Sequence, residues 1–361
     1  MAADKSAGWI SFAVLLACLC AGAMLFCRNG GNDGGACRAR IAAVDNSDIS
    51  TLGFVKYGTQ RLQAVALEGP RKGETLELGN TVRGQLELDT VFKPGDEALV
   101  SGGGVRLWRA GSIACAFAVF ALMLAAFGGR VGVNALSSFT ICCIIIWKIA
   151  IPLMLKGWAA SWVAFISTAA MTGVIMLLVG GFTRKALAAF GGSMLGVGAG
   201  LGCAHLLGGI AQINGATLPY VQTLLYSGCA NLDLADVFVA ATVFASSGAI
   251  MDLAMDIAAG VAEVARHNHA LGFRALAMSG IRIGRATVGT MSTTLLLAYS
   301  GGFLTLLMVF AAQGTPPQEF LNSPVVAAEA VKTLVGSFAI VLVAPFTALL
   351  SGLLFRASAR A

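Results

Sequence analysis

Residues 158–180 read WAASWVAFISTAAMTGVIMLLVG, without a single charged side chain. A bilayer-crossing helix needs about 20 mostly apolar residues, and within hydrocarbon only a helix or a closed barrel satisfies its own backbone polar groups. The stretch is too long and too uniformly apolar for a strand, so it reads as a transmembrane helix. Seven other runs meet the same test: 8–27, 109–127, 134–155, 187–210, 236–262, 286–311 and 325–355. The expected fold is a polytopic α-helical membrane protein with about eight transmembrane helices. Composition agrees: 57% of the 361 residues are hydrophobic, a further 45 are glycine, and 12% are charged. A soluble domain carries about 25% charge, so a cytosolic enzyme and a disordered tail are both excluded. The net charge of +6 comes from short loops and forms no basic stripe, so no nucleic-acid partner is expected.

Half of the Lys, Arg, Asp and Glu residues fall between Arg28 and Arg109. The chain therefore divides into an N-terminal transmembrane helix (1–28), a small soluble module (29–107) and a seven-helix membrane domain (108–361). Within the module the apolar period becomes two. Leu62, Ala64 and Ala66 alternate with polar neighbours, as do Leu76 with Leu78 and Leu86 with Leu88. Breaks fall at 68–73 and at Lys93-Pro94-Gly95-Asp96, both rich in turn formers. Four or five short antiparallel strands are expected, closing into a β-barrel-like, OB-like module. It lacks an aromatic ladder, so it suits a spacer or a partner-docking surface.

Loop charge orients the body. With the N-terminus inside, the cytoplasmic loops carry Lys5, Arg130, Arg184, Lys185, Arg266, Arg274, Arg282, Arg285, Arg356 and Arg360, and the short outer loops carry only Lys156. Both termini are then cytoplasmic and the β module lies outside. Lys5 ahead of the first apolar run also resembles a signal peptide. The bulky Leu16 fits a Leu15-Leu16-Ala17-Cys18 cleavage site poorly, so an uncleaved helix is expected.

Ionisable groups deep in a bilayer are costly and tend to mark ion or substrate pathways. The run 236–262 carries Asp252 near its centre and Asp256 four residues on, hence on one helical face and about 6 Å apart. Like charges repel strongly in low dielectric, an arrangement suited to handling a proton or cation. The hydroxyls of Thr290, Ser292, Thr293 and Thr294 open the next run. Counting residues from each run's midpoint puts Thr294 level with Asp256. Lys148 on the third run could neutralise Asp252 or reach the outer surface. These seven residues are the candidate substrate- or ion-binding set. The commonplace reading is that the hydroxyls tie helix to helix. Glu329 and Lys332 read as a structural i,i+3 pair. Gly192, Gly196 and Gly200, spaced by four, read as a close-packing face, with a broken, site-lining helix as the other possibility.

No H-E-x-x-H, G-x-S-x-G or P-loop occurs, so no enzymatic activity, cofactor or metal site is expected. Nine cysteines include no C-x-x-C. Cys27 and Cys37 flank the module's start, where an oxidising compartment would allow them to pair.

The segments Gly248-Ala249-Ile250-Met251-Asp252-Leu253-Ala254-Met255, Arg282-Ile283-Gly284-Arg285 and Gly289-Thr290-Met291-Ser292 resemble the YibE/F-like family of bacterial membrane proteins. The likeness continues through Leu297-Ala298-Tyr299-Ser300-Gly301-Gly302, Glu329, Val335-Gly336-Ser337 and Pro345-Phe346-Thr347-Ala348. It also takes in the Arg184-Lys185 loop and, more loosely, Phe92-Lys93-Pro94-Gly95-Asp96. The resemblance implies one helix, an extracytoplasmic β module and seven helices in the bacterial cytoplasmic (inner) membrane. It also implies that Asp252 is the better-supported site, because Asp256 stands where the family more often has a small hydroxyl residue and Thr293 where it often has asparagine. The expected function is a proton- or cation-coupled secondary transporter or permease for a small ion or solute. The alternative is a non-transporting membrane scaffold or relay that docks an extracytoplasmic protein partner through its β module. The expected partners are the lipid bilayer, a small ion or solute, and an extracytoplasmic protein or a second copy in a homo-oligomer.

Overall fold

The computed structural model describes residues 36–356 apart from 87, 103 and 230. The expected first helix at 8–27, and Cys27 of the suggested Cys27–Cys37 pair, lie outside the described residues. The chain divides after Gly129 into two compact units.

The first unit holds the β module. Its strands are β1 (Cys37–Asp45), β2 (Ile49–Leu52), β3 (Val55–Ala66), β4 (Thr75–Arg83), β5 (Glu97–Ser101) and β6 (Gly104–Leu107). They form one antiparallel sheet in the order β2-β3-β1-β5-β6, with β4 on the other edge of β3. The expected alternation holds along β3, where Leu62, Ala64 and Ala66 are buried. They meet Ala39, Ile41, Ala98 and the fully buried Phe92. Gln60 is buried with its amide shared out: Nε2 donates to the Phe92 carbonyl at 2.9 Å and Oε1 accepts from the Phe92 N–H at 3.0 Å. A buried amide is tolerated because it is satisfied.

Two expectations for the module are corrected. No ladder joins β4 to β6 among the described residues, so the sheet is an open half-barrel and does not close. Leu86 and Leu88 are in a turn, not a strand, and are largely exposed. Gly84 takes φ +85°, and Asp89 Oδ2 accepts from the backbone N–H of Arg83 and Gln85 at 2.8 and 2.7 Å. A side chain that captures the local N–H groups removes them from any ladder.

The helical elements are α1 (Ala110–Ile144, continued by a π-turn at Ile145–Ala150 and by Ile151–Leu155), α2 (Ala160–Gly180), α3 (Arg184–Ile210), the short α4 (Val221–Tyr226), α5 (Leu234–His267), α6 (Phe273–Gly302), α7 (Leu304–Ala312), the short α8 (Pro317–Asn322) and α9 (Pro324–Arg356). The expected spans 109–127 and 134–155 are two halves of the one run α1, broken at Gly129 (φ 53°, ψ −126°), a conformation that glycine adopts without steric cost. The π-turn precedes Pro152, which has no N–H to donate to the preceding turn and whose ring crowds it. Among the described residues, five helical runs are long and apolar enough to cross a membrane. A sixth follows if α6 and α7, bent by 67° at Phe303, form one span. The difference from eight is accounted for by the undescribed 8–27 and by the fusion of two expected spans in α1.

The second unit is built around α9, which packs on α3, α5 and α6, while α2 covers α5. The contacts are made of small residues. A methyl group added to Gly192, Gly196 or Gly200 on α3 would collide with or crowd Thr347, Val343 or Ala339 on α9. Gly280 and Gly284 of α6 meet Ala348 and Ala344 in the same way. The glycines of α3 therefore serve close packing, not a helix break.

Helix α6 differs most from expectation. It begins at Phe273, not near residue 286, so Arg274, Arg282 and Arg285 lie on a helix and not in a loop. The cause is a stripe at Leu276, Ala277, Gly280 and Gly284, buried as one face. Its period of three and four is helical, but the interspersed arginines hide it from a hydropathy count.

Candidate functional site

Helix α5 starts at the cap Asp233, whose Oδ1 accepts from the N–H of Ala235 (3.0 Å) and Asp236 (3.3 Å). Asp236 in turn accepts from the Ser161 N–H at 3.1 Å, tying α5 to the start of α2. One face of α5 is buried along Phe238, Thr242, Ser246, Ile250, Leu253, Ala254, Ile257 and Val261. Its hydroxyls are used locally: Thr242 donates to the Phe238 carbonyl and Ser246 to that of Thr242, both at 2.9 Å. Thr172 of α2 donates to Met251 Sδ at 2.9 Å.

Asp252 and Asp256 lie on the opposite face. Both are exposed, and neither forms a hydrogen bond or ion pair among the described residues. Glu263, two turns beyond Asp256, is engaged by the Arg266 guanidinium and by His267 Nδ1, the latter at 3.3 Å. The two aspartates are thus the unspent carboxylates of α5.

Helix α6 runs antiparallel beside them. Gly284 packs on Ile257, Ile283 on Gly260 and Gly280 on Val261, while Ser246 and Leu295 converge on Gly336. That register places Asp252 level with Thr290, and Asp256 level with Thr287. The expected pairing of Thr294 with Asp256 is corrected by about two turns, because α6 begins well before the expected start of its span. Thr287, Thr290 and Thr294 follow Ile283 at helical spacing and flank the packed positions Gly284, Val288, Met291 and Leu295, with Thr287 half-buried and Thr290 and Thr294 exposed. Their hydroxyls donate to the carbonyls of Ile283, Thr287 and Thr290 at 2.9, 2.8 and 2.9 Å. Each hydroxyl oxygen keeps lone pairs for another donor or a cation. Thr293 donates to the Gly289 carbonyl and, with the half-buried Ser292, belongs to another face of α6. Lys148 is half-buried in the π-turn of α1, a segment that packs on α2. The register therefore sets Asp252 and Asp256 level with Thr290 and Thr287 on neighbouring helices, whereas Ser292 and Thr293 lie on other faces of α6 and Lys148 on α1. Thr287 is added to the set, and its i,i+3 relation to Thr290 was the signal available in the sequence.

A second polar centre sits where α6 breaks. Lys332 Nζ lies 3.4 Å from Glu329 Oε1 and 5.3 Å from the centre of the Tyr299 ring. Tyr299 Oη and Glu329 Oε2 are buried without a hydrogen-bond partner among the described residues. Both line an apolar cavity of about 360 Å³ shared by α6, α7, α8 and α9. The sequence shows the Glu329–Lys332 pair and the Gly301-Gly302 step, but Tyr299 joins them only through the fold.

A family model described as YibE/F-like protein matches residues 116–357, two thirds of the chain. No curated protein and no solved structure matches it.

Proposed function

The chain belongs to the YibE/F-like family, and on that premise we propose that it is a proton- or cation-coupled secondary transporter or permease, with its site on the α5/α6 seam. The observation that carries this reading is the pair Asp252 and Asp256, without a partner among the described residues and within a helix long and apolar enough to span a bilayer. An aspartate at the centre of a spanning helix costs about 2.5–3.5 kcal/mol, and two at i,i+4 also repel each other. Protonation removes that cost, and deprotonation restores a cation-binding charge at the level of the Thr287 and Thr290 oxygens. Titration at one place can therefore be linked to movement of a small ion or solute. In this reading the two halves of α1 on either side of Gly129 cross separately, so that eight helices cross the bacterial cytoplasmic membrane, both termini are cytoplasmic, the β module lies outside, and the cargo leaves chemically unchanged.

The test is uptake or efflux in vesicles under an imposed proton gradient, screened over small cations and organic ions. Asp252→Asn is expected to fold but to lose transport, whereas Asp256→Ser keeps part of it. Wild-type rates from Asp252→Asn would sink the site, and movement that ignores the gradient would indicate a channel. A second reading, a scaffold docking an extracytoplasmic partner, is favoured by Leu52 and Phe54, exposed at 74% and 82% at the β2–β3 turn. It would prevail if removing residues 38–100 abolished the cellular phenotype while Asp252→Asn spared it.

A further inference from the structure

At the end of the helical body where α3 begins and α5 ends, a cleft of about 540 Å³ opens. Its wall carries Arg184 and Lys185 of α3, Arg266 of α5 and His269 just beyond α5. Among the described residues its only carboxylate is Glu263, already engaged by Arg266 and His267. Arg184, Lys185 and His269 form no hydrogen bond or ion pair among the described residues. The floor is apolar, made by Ala259, Ala262, Leu271, Leu276 and Phe355. The cleft thus combines uncompensated cationic donors with a greasy base, at the end of membrane-crossing helices.

We propose that this cleft binds the phosphate of an anionic phosphate ester, and that its apolar floor selects a phospholipid headgroup over the free ester. Arginine presents a planar fork of N–H groups that matches phosphate oxygens two at a time, and lysine adds a point charge. Basic pockets between helix ends suit anionic headgroups for this reason. A hydrated inorganic anion would leave the alanine, leucine and phenylalanine surface in contact with water. An acyl chain attached to the phosphate would cover it. The site is separate from the α5/α6 seam, so neither proposal depends on the other.

The test is native mass spectrometry of the purified full chain in a neutral detergent, titrated with phosphatidylglycerol, phosphatidylcholine and soluble glycerol phosphate. Phosphatidylglycerol is expected to be retained where phosphatidylcholine is stripped. Each basic residue near a headgroup is worth about fivefold in affinity, so Arg184→Gln with Lys185→Gln should weaken retention by about thirtyfold. The pair Arg71→Gln and Lys72→Gln, in a turn of the β module, should change nothing. Failure of glycerol phosphate to compete assigns the lipid as the source; competition assigns the soluble ester to the same site. Wild-type retention in a double variant that melts normally would overturn the proposal. Should that variant fail to fold, retention in the wild type that is indifferent to added salt would overturn it as well.

Discussion

At the scale of single residues, the described ion pairs concentrate where water is present. Arg38 Nε donates to Glu97 Oε2 at 2.9 Å, and Arg40 reaches Glu97 Oε1 at 3.1 Å. These bonds, those of Arg38 first, hold the Glu97 carboxyl below its ordinary value. A carboxyl held down in the folded state stabilises the fold above its unfolded value, and that contribution is lost as pH falls through the folded one. The β1–β5 ladder should therefore lose hydrogen-exchange protection on acidification below about pH 4.3, and Glu97→Gln should flatten that dependence. An unchanged acid response in the variant would show that another group governs it. Asp252 and Asp256 were legible from their spacing alone, since a carboxylate in an apolar run stands out against its neighbours. Their lack of partners was not legible, because the partners available depend on the register of α5 against α6.

At the scale of elements, helices buried on small residues are read well when apolar throughout and poorly when amphipathic. Helices α2 and α9 lie within a few residues of their expected limits. Helix α6 was cut short by about a dozen residues, because the arginines between its buried positions mask the stripe that anchors it. The strands of β3 and β4 followed their alternation. The expected strand at Leu86 and Leu88 failed because one capping aspartate outweighs two leucines in deciding a short segment. The α3–α9 contact gives a sharp prediction. Gly196→Leu must displace Val343 and Ile250, which should cost about 1–3 kcal/mol or more and lower the melting temperature in detergent. Gly202, with nothing within 4 Å, should accept leucine with little change. Equal melting of the two variants would remove close packing as the reason for these glycines.

At the scale of the whole molecule, the sequence showed a soluble module set into an apolar helical body, and the structure has both. Whether the module's sheet closed was beyond the sequence, because closure depends on how two edge strands meet and not on alternation within either. Orientation rests on loop charge, and it is open to direct measurement. A reporter active only outside the cytoplasm, fused after Gly104, should give signal, whereas the same reporter after Arg184 should stay silent. The reverse pattern would invert the orientation and place the cleft around Arg184 on the outer side.

The α3–α9 seam has one further property. Its small residues recur every fourth position, as Ala188, Gly192, Gly196, Gly200 and Ala204, all of them buried. Four residues advance a helix by about 6 Å, close to its 5.4 Å pitch. The notches are therefore nearly commensurate with the helix itself, like the teeth of a rack. Displaced by one tooth along α9, α3 would present almost the same profile to its neighbour. Steric fit in this seam fixes the distance between the two helices but scarcely their axial phase. That phase is set in bulkier contacts, such as those that Val343 of α9 and Ile250 of α5 make around Gly196.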